Sequence, residues 1–233
     1  MPDWREGISQ FAERVSIAKS SDILERPTFS WLAPPPYSRQ LDSIEWVYWA
    51  ACATTQTYLN SFRVYAKSFP PIWNDGNFLL CGLTARAALE ITGAIQFIFE
   101  GIDQPNSKLL SQTERFRRLL LGASGEIRLP MGERSDLRPI NVMEFVRALD
   151  RINPRLSDDY EWLCNAAHPC SMQHTYFLMA GPILDNWENE KFAAHALEDL
   201  DRLLMCFEAS ISIVSAKAKS ISELSKNALE DLE

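Results

Sequence analysis

Apolar residues recur at spacings of three and four through every long segment of the chain, whereas the strict alternation that marks a half-buried strand is scarce. This pattern predicts an all-α protein, a helical bundle with long antiparallel helices. A first helix is expected over residues 3–19. The connector after it contains "APPPY", whose consecutive prolines form a stiff spacer. The chain then reads as a single helical domain, with residues 1–37 as N-terminal helix and connector, 38–218 as the bundle and 219–233 as a tail.

Ser38 is the expected cap of a second helix, in which Leu41, Ile44, Tyr48, Ala51, Thr55, Tyr58, Phe62, Tyr65 and Phe69 form a lengthwise packing seam. Pro70 and Pro71 are expected to stop it. A third helix over 77–102 contains "FLLCGLTARAALEITGAIQFIF", apolar on nearly every side, as in the middle of a bundle. Its length approaches that of a membrane span, but Arg86 and Glu90 lie near its centre, where charge is expensive, and no membrane association is expected.

A fourth helix over 105–122 carries "RFRRLLLG", and a long loop follows it up to Pro139. "NVMEFVRALDRI" and "SDDYEWLCNAAH" read as short helices, the second with Ser157 as cap and Asp158 and Asp159 in its first turn. The last helix starts near Trp187. There Ala193, Leu197, Leu200, Leu204, Phe207, Ile211, Val214 and Ala218 alternate spacings of four and three, a seam that closes the bundle, pairs with a second copy, or does both.

A hydrophobic content of 46% over 233 residues is ample for a core. The N-terminal stretch lacks the basic, apolar and small-residue order of a signal peptide, and the five scattered cysteines read as reduced thiols, so a cytoplasmic setting is expected. A formal charge of −8 argues against coating nucleic acid with the whole surface. The charge is uneven, however. Residues 108–138 hold seven basic and four acidic residues, against five and eleven from Asp185 onward, so an anion would dock in the middle of the chain, and a solvated basic helix explains the same counts.

Candidate chemistry gathers on two helices. Arg86 and Glu90, four apart, share one face of the apolar helix, and Gly93 falls there too. Arginine before glutamate is the weaker order for an exposed helical pair, so helix stabilisation alone is a poor reason for it. Tyr160, Cys164 and His168 are also spaced by four, and Pro169 places His168 at or just past a helix end. The site expected from these residues is Arg86, Glu90, Tyr160 and His168: arginine binds an anionic group and histidine moves a proton, or the four form a buried polar network that registers two helices.

Cys164, His168, Cys170 and His174 fall close together, but their spacing is not that of the usual zinc modules, and no metal or other cofactor is expected. His195 stands alone on an amphipathic helix. No Gly-x-Ser-x-Gly elbow occurs, and the cysteines lie in apolar contexts that keep thiols protonated.

"RAALE", "INVMEFVRALDRINPRL" and "YEWLCNAAHP", within residues 78–170, resemble a group of bacterial all-α proteins with Arg-x-x-x-Glu and Tyr…His-Pro helices, itself similar in outline to the HEPN superfamily. The resemblance implies a homodimer that binds or cleaves RNA without metal, in a toxin or phage-defence setting. HEPN ribonucleases use Arg-x(4 to 6)-His. Here the nearest arginine before His168 is Arg155, with twelve residues between them, so Arg86 would supply from another helix what that motif supplies locally. The alternative is a non-catalytic module acting through homodimer or partner-helix packing.

Overall fold

The computed structural model describes residues 43–103, 109–121, 140–167 and 190–230. The expected N-terminal helix, the proline connector, the basic loop and the stretch containing His168 lie outside them. The described residues form helices α1 (Ile44–Asn74), α2 (Phe78–Ile102), α3 (Leu109–Leu121), α4 (Val142–Ile152), α5 (Pro154–Ala167) and α6 (Glu190–Glu230), with no strand. The chain is all-α, as the periodicity predicts.

The N-terminus of α1 is capped by Ser43, not Ser38, for the Ser43 hydroxyl accepts the Trp46 N–H at 3.2 Å. Along the expected seam Ala51, Thr55, Phe62 and Phe69 are buried, and Tyr48, Tyr58 and Tyr65 are half-buried against the core. Pro70 and Pro71 do not stop the helix, which runs to Asn74. A proline inside a helix costs about 3 kcal/mol. The last turn offsets that cost by burying aromatic surface, at roughly 1.5–3 kcal/mol per large side chain. Phe69 stacks on Phe207 of α6 with centroids 4.0 Å apart and on Trp73 at 5.8 Å, and Trp73 meets Phe78 of α2 edge to face at 5.2 Å. The turn into α2 then uses Gly76 at φ 70°, where any side chain would be strained.

Asn77 caps α2 by accepting the Leu80 N–H at 3.1 Å, and α2 touches each of the other five helices. From Ile91 to Ile98 every residue is buried. The helix is long and apolar enough to cross a membrane, but most of its apolar stretch is buried against its neighbours, as in the core helix of a bundle, with Leu80 and Leu83 left exposed. Gly93 permits the closest approach. A Cβ there would lie 2.4 Å from the Phe145 carbonyl oxygen, so α4 packs directly on the α2 backbone.

Asn153 joins α4 to α5. Its N–H donates to the Leu149 carbonyl at 2.9 Å, closing α4, and its side chain accepts the Arg155 N–H at 3.1 Å, opening α5. Pro154 occupies the first helical position, where no N–H is required. Ser157 is therefore not the cap; it lies inside α5 and hydrogen-bonds the Asp150 carboxylate. Nor is Asp159 a first-turn residue: it is buried and accepts from Arg202 of α6 at 2.6 Å.

In α6 the seam residues Leu200, Leu204, Phe207, Ile211, Val214 and Ala218 are all buried within the chain, so this seam closes the bundle. The helix continues to Glu230, absorbing most of the expected tail. One buried apolar cluster draws on all six helices.

Candidate functional site

Where α2 meets α5, three of the four expected site residues come together. Arg86 Nε donates to Glu90 Oε1 at 3.2 Å, and the Tyr160 hydroxyl donates to the same oxygen at 2.9 Å. The Arg86 guanidinium lies over the Tyr160 ring, 5.6 Å from its centroid. One turn beyond Tyr160, Cys164 stands beside the phenol and within electrostatic reach of Arg86. The stripe read from the sequence thus faces Arg86 and Glu90 through Cys164. His168 lies outside the described residues.

The expectation that Arg86 and Glu90 are buried is corrected. Their side chains are 35% and 33% exposed, because α5 covers only one side of the pair, and the large cost of breaking a buried ion pair does not apply to them. Tyr160 is the buried member, 3% exposed. Burial raises its pKa above the ordinary phenol value, and the bond to Glu90 and that carboxylate's charge raise it further, so Tyr160 is a hydrogen-bond donor at neutral pH. Burial works against the Arg86 charge, but Tyr160, Cys164 and Glu90 outweigh it and hold the guanidinium above its ordinary value.

Glu90 also lines a cleft of about 400 Å³. Tyr58, Ser61 and Tyr65 of α1 form one wall, Ala87 and Ile91 flank Glu90 on α2, and Arg118 and Phe145 contribute from α3 and α4. Tyr58 is held edge to face against Phe145, centroids 6.3 Å apart. The helical spacing places both tyrosines in a packing seam and does not reveal this wall. The available signal was their polar tips, since a seam buried on all sides favours side chains without them.

The basic cluster of α3 is largely engaged in helix contacts. Arg118 donates to Glu144 of α4 at 2.7 Å. Arg115 lies 3.6 Å from Glu100 with its guanidinium 3.5 Å over the Phe97 ring. Arg151 grips both oxygens of Glu100, at 2.7 and 2.5 Å. Arg115 and Arg118 are two of the seven basic residues that the sequence places over 108–138.

Of the four clustered cysteine and histidine residues weighed as metal ligands only Cys164 is described, and among the described residues no group of three His, Cys, Asp or Glu is placed to hold a metal ion. His195 falls within α6, its side chain outside the described residues. Cys52, Cys81 and Cys206 are buried free thiols. Burial pushes Cys52 up to about 11 and Cys81 up to about 12, and it raises Cys206 too, with Asp159 adding to the effect. None of the three is a thiolate at neutral pH. Comparison of the chain with protein-family models, with curated proteins and with solved structures finds no match in any of the three.

Proposed function

We propose that the Arg86, Glu90 and Tyr160 cluster is the phosphate-handling part of a site that binds RNA and, with His168, cleaves it. The observation that carries this reading is the convergence of a guanidinium, a carboxylate and a phenol from helices 70 residues apart on a patch that solvent still reaches. The HEPN-like resemblance supplies the rest of the reading: a cytoplasmic homodimer in a toxin or phage-defence setting.

The roles follow from the chemistry. Arg86 keeps its charge and part of its surface, which suits a phosphate oxygen. Tyr160 keeps its proton, so it orients Glu90 and does not act as a base. Glu90 Oε1 already accepts two hydrogen bonds and holds Arg86 in place. Proton transfer near neutral pH falls to His168, which follows Cys164 at the same spacing of four.

The test is incubation of the purified full chain with labelled single-stranded RNA, alongside His168→Ala and Arg86→Ala variants whose folding is checked by thermal melts. Cleavage lost in both variants, with RNA binding weakened only by Arg86→Ala, is the expected outcome. Intact RNA with every protein rejects cleavage, and absence of binding as well rejects the reading. A second reading rests on Tyr160 being almost fully buried: its bond to Glu90 ties α5 to α2, and the cluster then registers two helices in a module that works through partner packing.

A further inference from the structure

Glu90 is asymmetric. Oε1 accepts from both Arg86 and Tyr160, whereas Oε2 accepts no hydrogen bond from any described residue, and the side chain lines the cleft. A carboxylate oxygen has two acceptor sites, so Glu90, a lining residue of the cleft, keeps an unused acceptor while two donors hold its other oxygen. Across from it Tyr58 and Tyr65 stand two turns apart on α1, with Ser61 between them and Ala87 opposite on α2. Two small residues thus leave a slot flanked by aromatic rings, and Ile91 and Phe145 give it apolar walls.

We propose that this slot holds a single nucleobase and that Glu90 selects guanine. The inference rests on the RNA-binding reading and adds a base preference to it. A flat heterocycle stacks on tyrosine whatever its identity, so the rings supply affinity and not choice. Choice comes from the acceptor. On its Watson–Crick edge guanine presents two neighbouring donors, N1–H and the N2 amino group, while adenine and cytosine set a ring-nitrogen acceptor beside their amino donor. Facing a carboxylate, that acceptor repels, and uracil offers only one N–H between two carbonyls. A volume of about 400 Å³ lies in the range of small-ligand sites and admits a purine.

The experiment is calorimetric titration of the full chain with the 5′-monophosphates of guanosine, adenosine, cytidine and uridine. The guanine nucleotide should bind at least about tenfold more tightly than the others, the scale of a well-placed base contact. Tyr65→Ala should weaken it about tenfold through lost stacking. Ser61→Trp fills the slot from an exposed position without removing a packed group and should abolish binding while melting like the parent. Glu90→Gln should erase the preference among bases. Equal binding of all four, no binding, or binding indifferent to Ser61→Trp overturns the proposal.

A guanine-free RNA separates the two inferences. If it is bound and cut as well as a guanine-containing one, the slot proposal fails and the RNA reading stands. If guanosine monophosphate binds selectively but no RNA is bound or cut, the slot stands and the RNA reading fails.

Discussion

Two ionic clusters sit ten residues apart on α2, built from the same chemistry and finished differently. At Glu100 both carboxylate oxygens are taken by Arg151, with Gln96 donating at 3.0 Å and Arg115 3.6 Å away. At Glu90 one oxygen takes two donors, the other takes none from the described residues, and the residue lines a cleft. Glu100 is 19% exposed and Glu90 33%. A carboxylate with donors on both oxygens and a second guanidinium beside it has little left to offer a ligand and ties three helices together. One left half satisfied beside a cleft lined by tyrosines has an acceptor to give, and on the proposed reading the first cluster serves the fold and the second a ligand.

The largest loss is expected at Gly93, which brings α4 onto α2 between the two clusters. Gly93→Ala puts a methyl group against the Phe145 backbone, where no flexible side chain can yield, so α4 must shift. The expected loss is about 3 kcal/mol in chemical denaturation, the upper end for overpacking. Nucleotide binding should fall with it, since Phe145 moves.

Glu100→Ala comes next. It strands Arg115, which is only 22% exposed, and the expected loss is about 2 kcal/mol, well below a fully buried pair because Arg151 reaches solvent. The pH dependence has a definite sign. Burial opposes the Glu100 charge, but Arg151, Gln96 and Arg115 outweigh it and hold the folded pKa below the ordinary 4.5. That contribution is present in full above 4.5 and is lost as pH falls through the lower folded value. Urea melts down the acid limb should therefore show parental stability falling more steeply than that of Glu100→Gln.

The smallest effect is at Tyr160. Tyr160→Phe removes the donor to Glu90 and keeps the packed ring, so about 1 kcal/mol should be lost. If RNA or nucleotide binding is unchanged in that variant, Tyr160 serves stability alone. A loss of binding larger than the loss of stability makes it a positioning residue for Glu90.

Much of this was legible in the sequence, for reasons visible in particular residues. Helical periodicity marks α1, α4 and α6 because each buries a stripe against neighbours, an apolar run on nearly every side marks α2, and the spacing of four marks Arg86 with Glu90 and Tyr160 with Cys164. The places where sequence reading failed are those that tertiary contacts decide. Pro70 and Pro71 lie within α1 because Phe69 and Trp73 are stacked into the core beside them. Asn153 displaced Ser157 as the cap because one residue could end α4 and begin α5 together. Arg86 and Glu90 proved to be half-covered because α5 lies along one side of them only. The tyrosines of α1 line a cleft that no local pattern can show, since its far wall comes from α2, α3 and α4.

The central claim is that Glu90 serves a ligand and Glu100 serves the fold. Its most direct test is to measure guanosine monophosphate affinity and unfolding free energy for Glu90→Gln and Glu100→Gln in parallel. Glu90→Gln should lose binding by about tenfold or more with under about 1 kcal/mol of stability lost, and Glu100→Gln should do the reverse. Equal losses of both quantities in the two variants would contradict it.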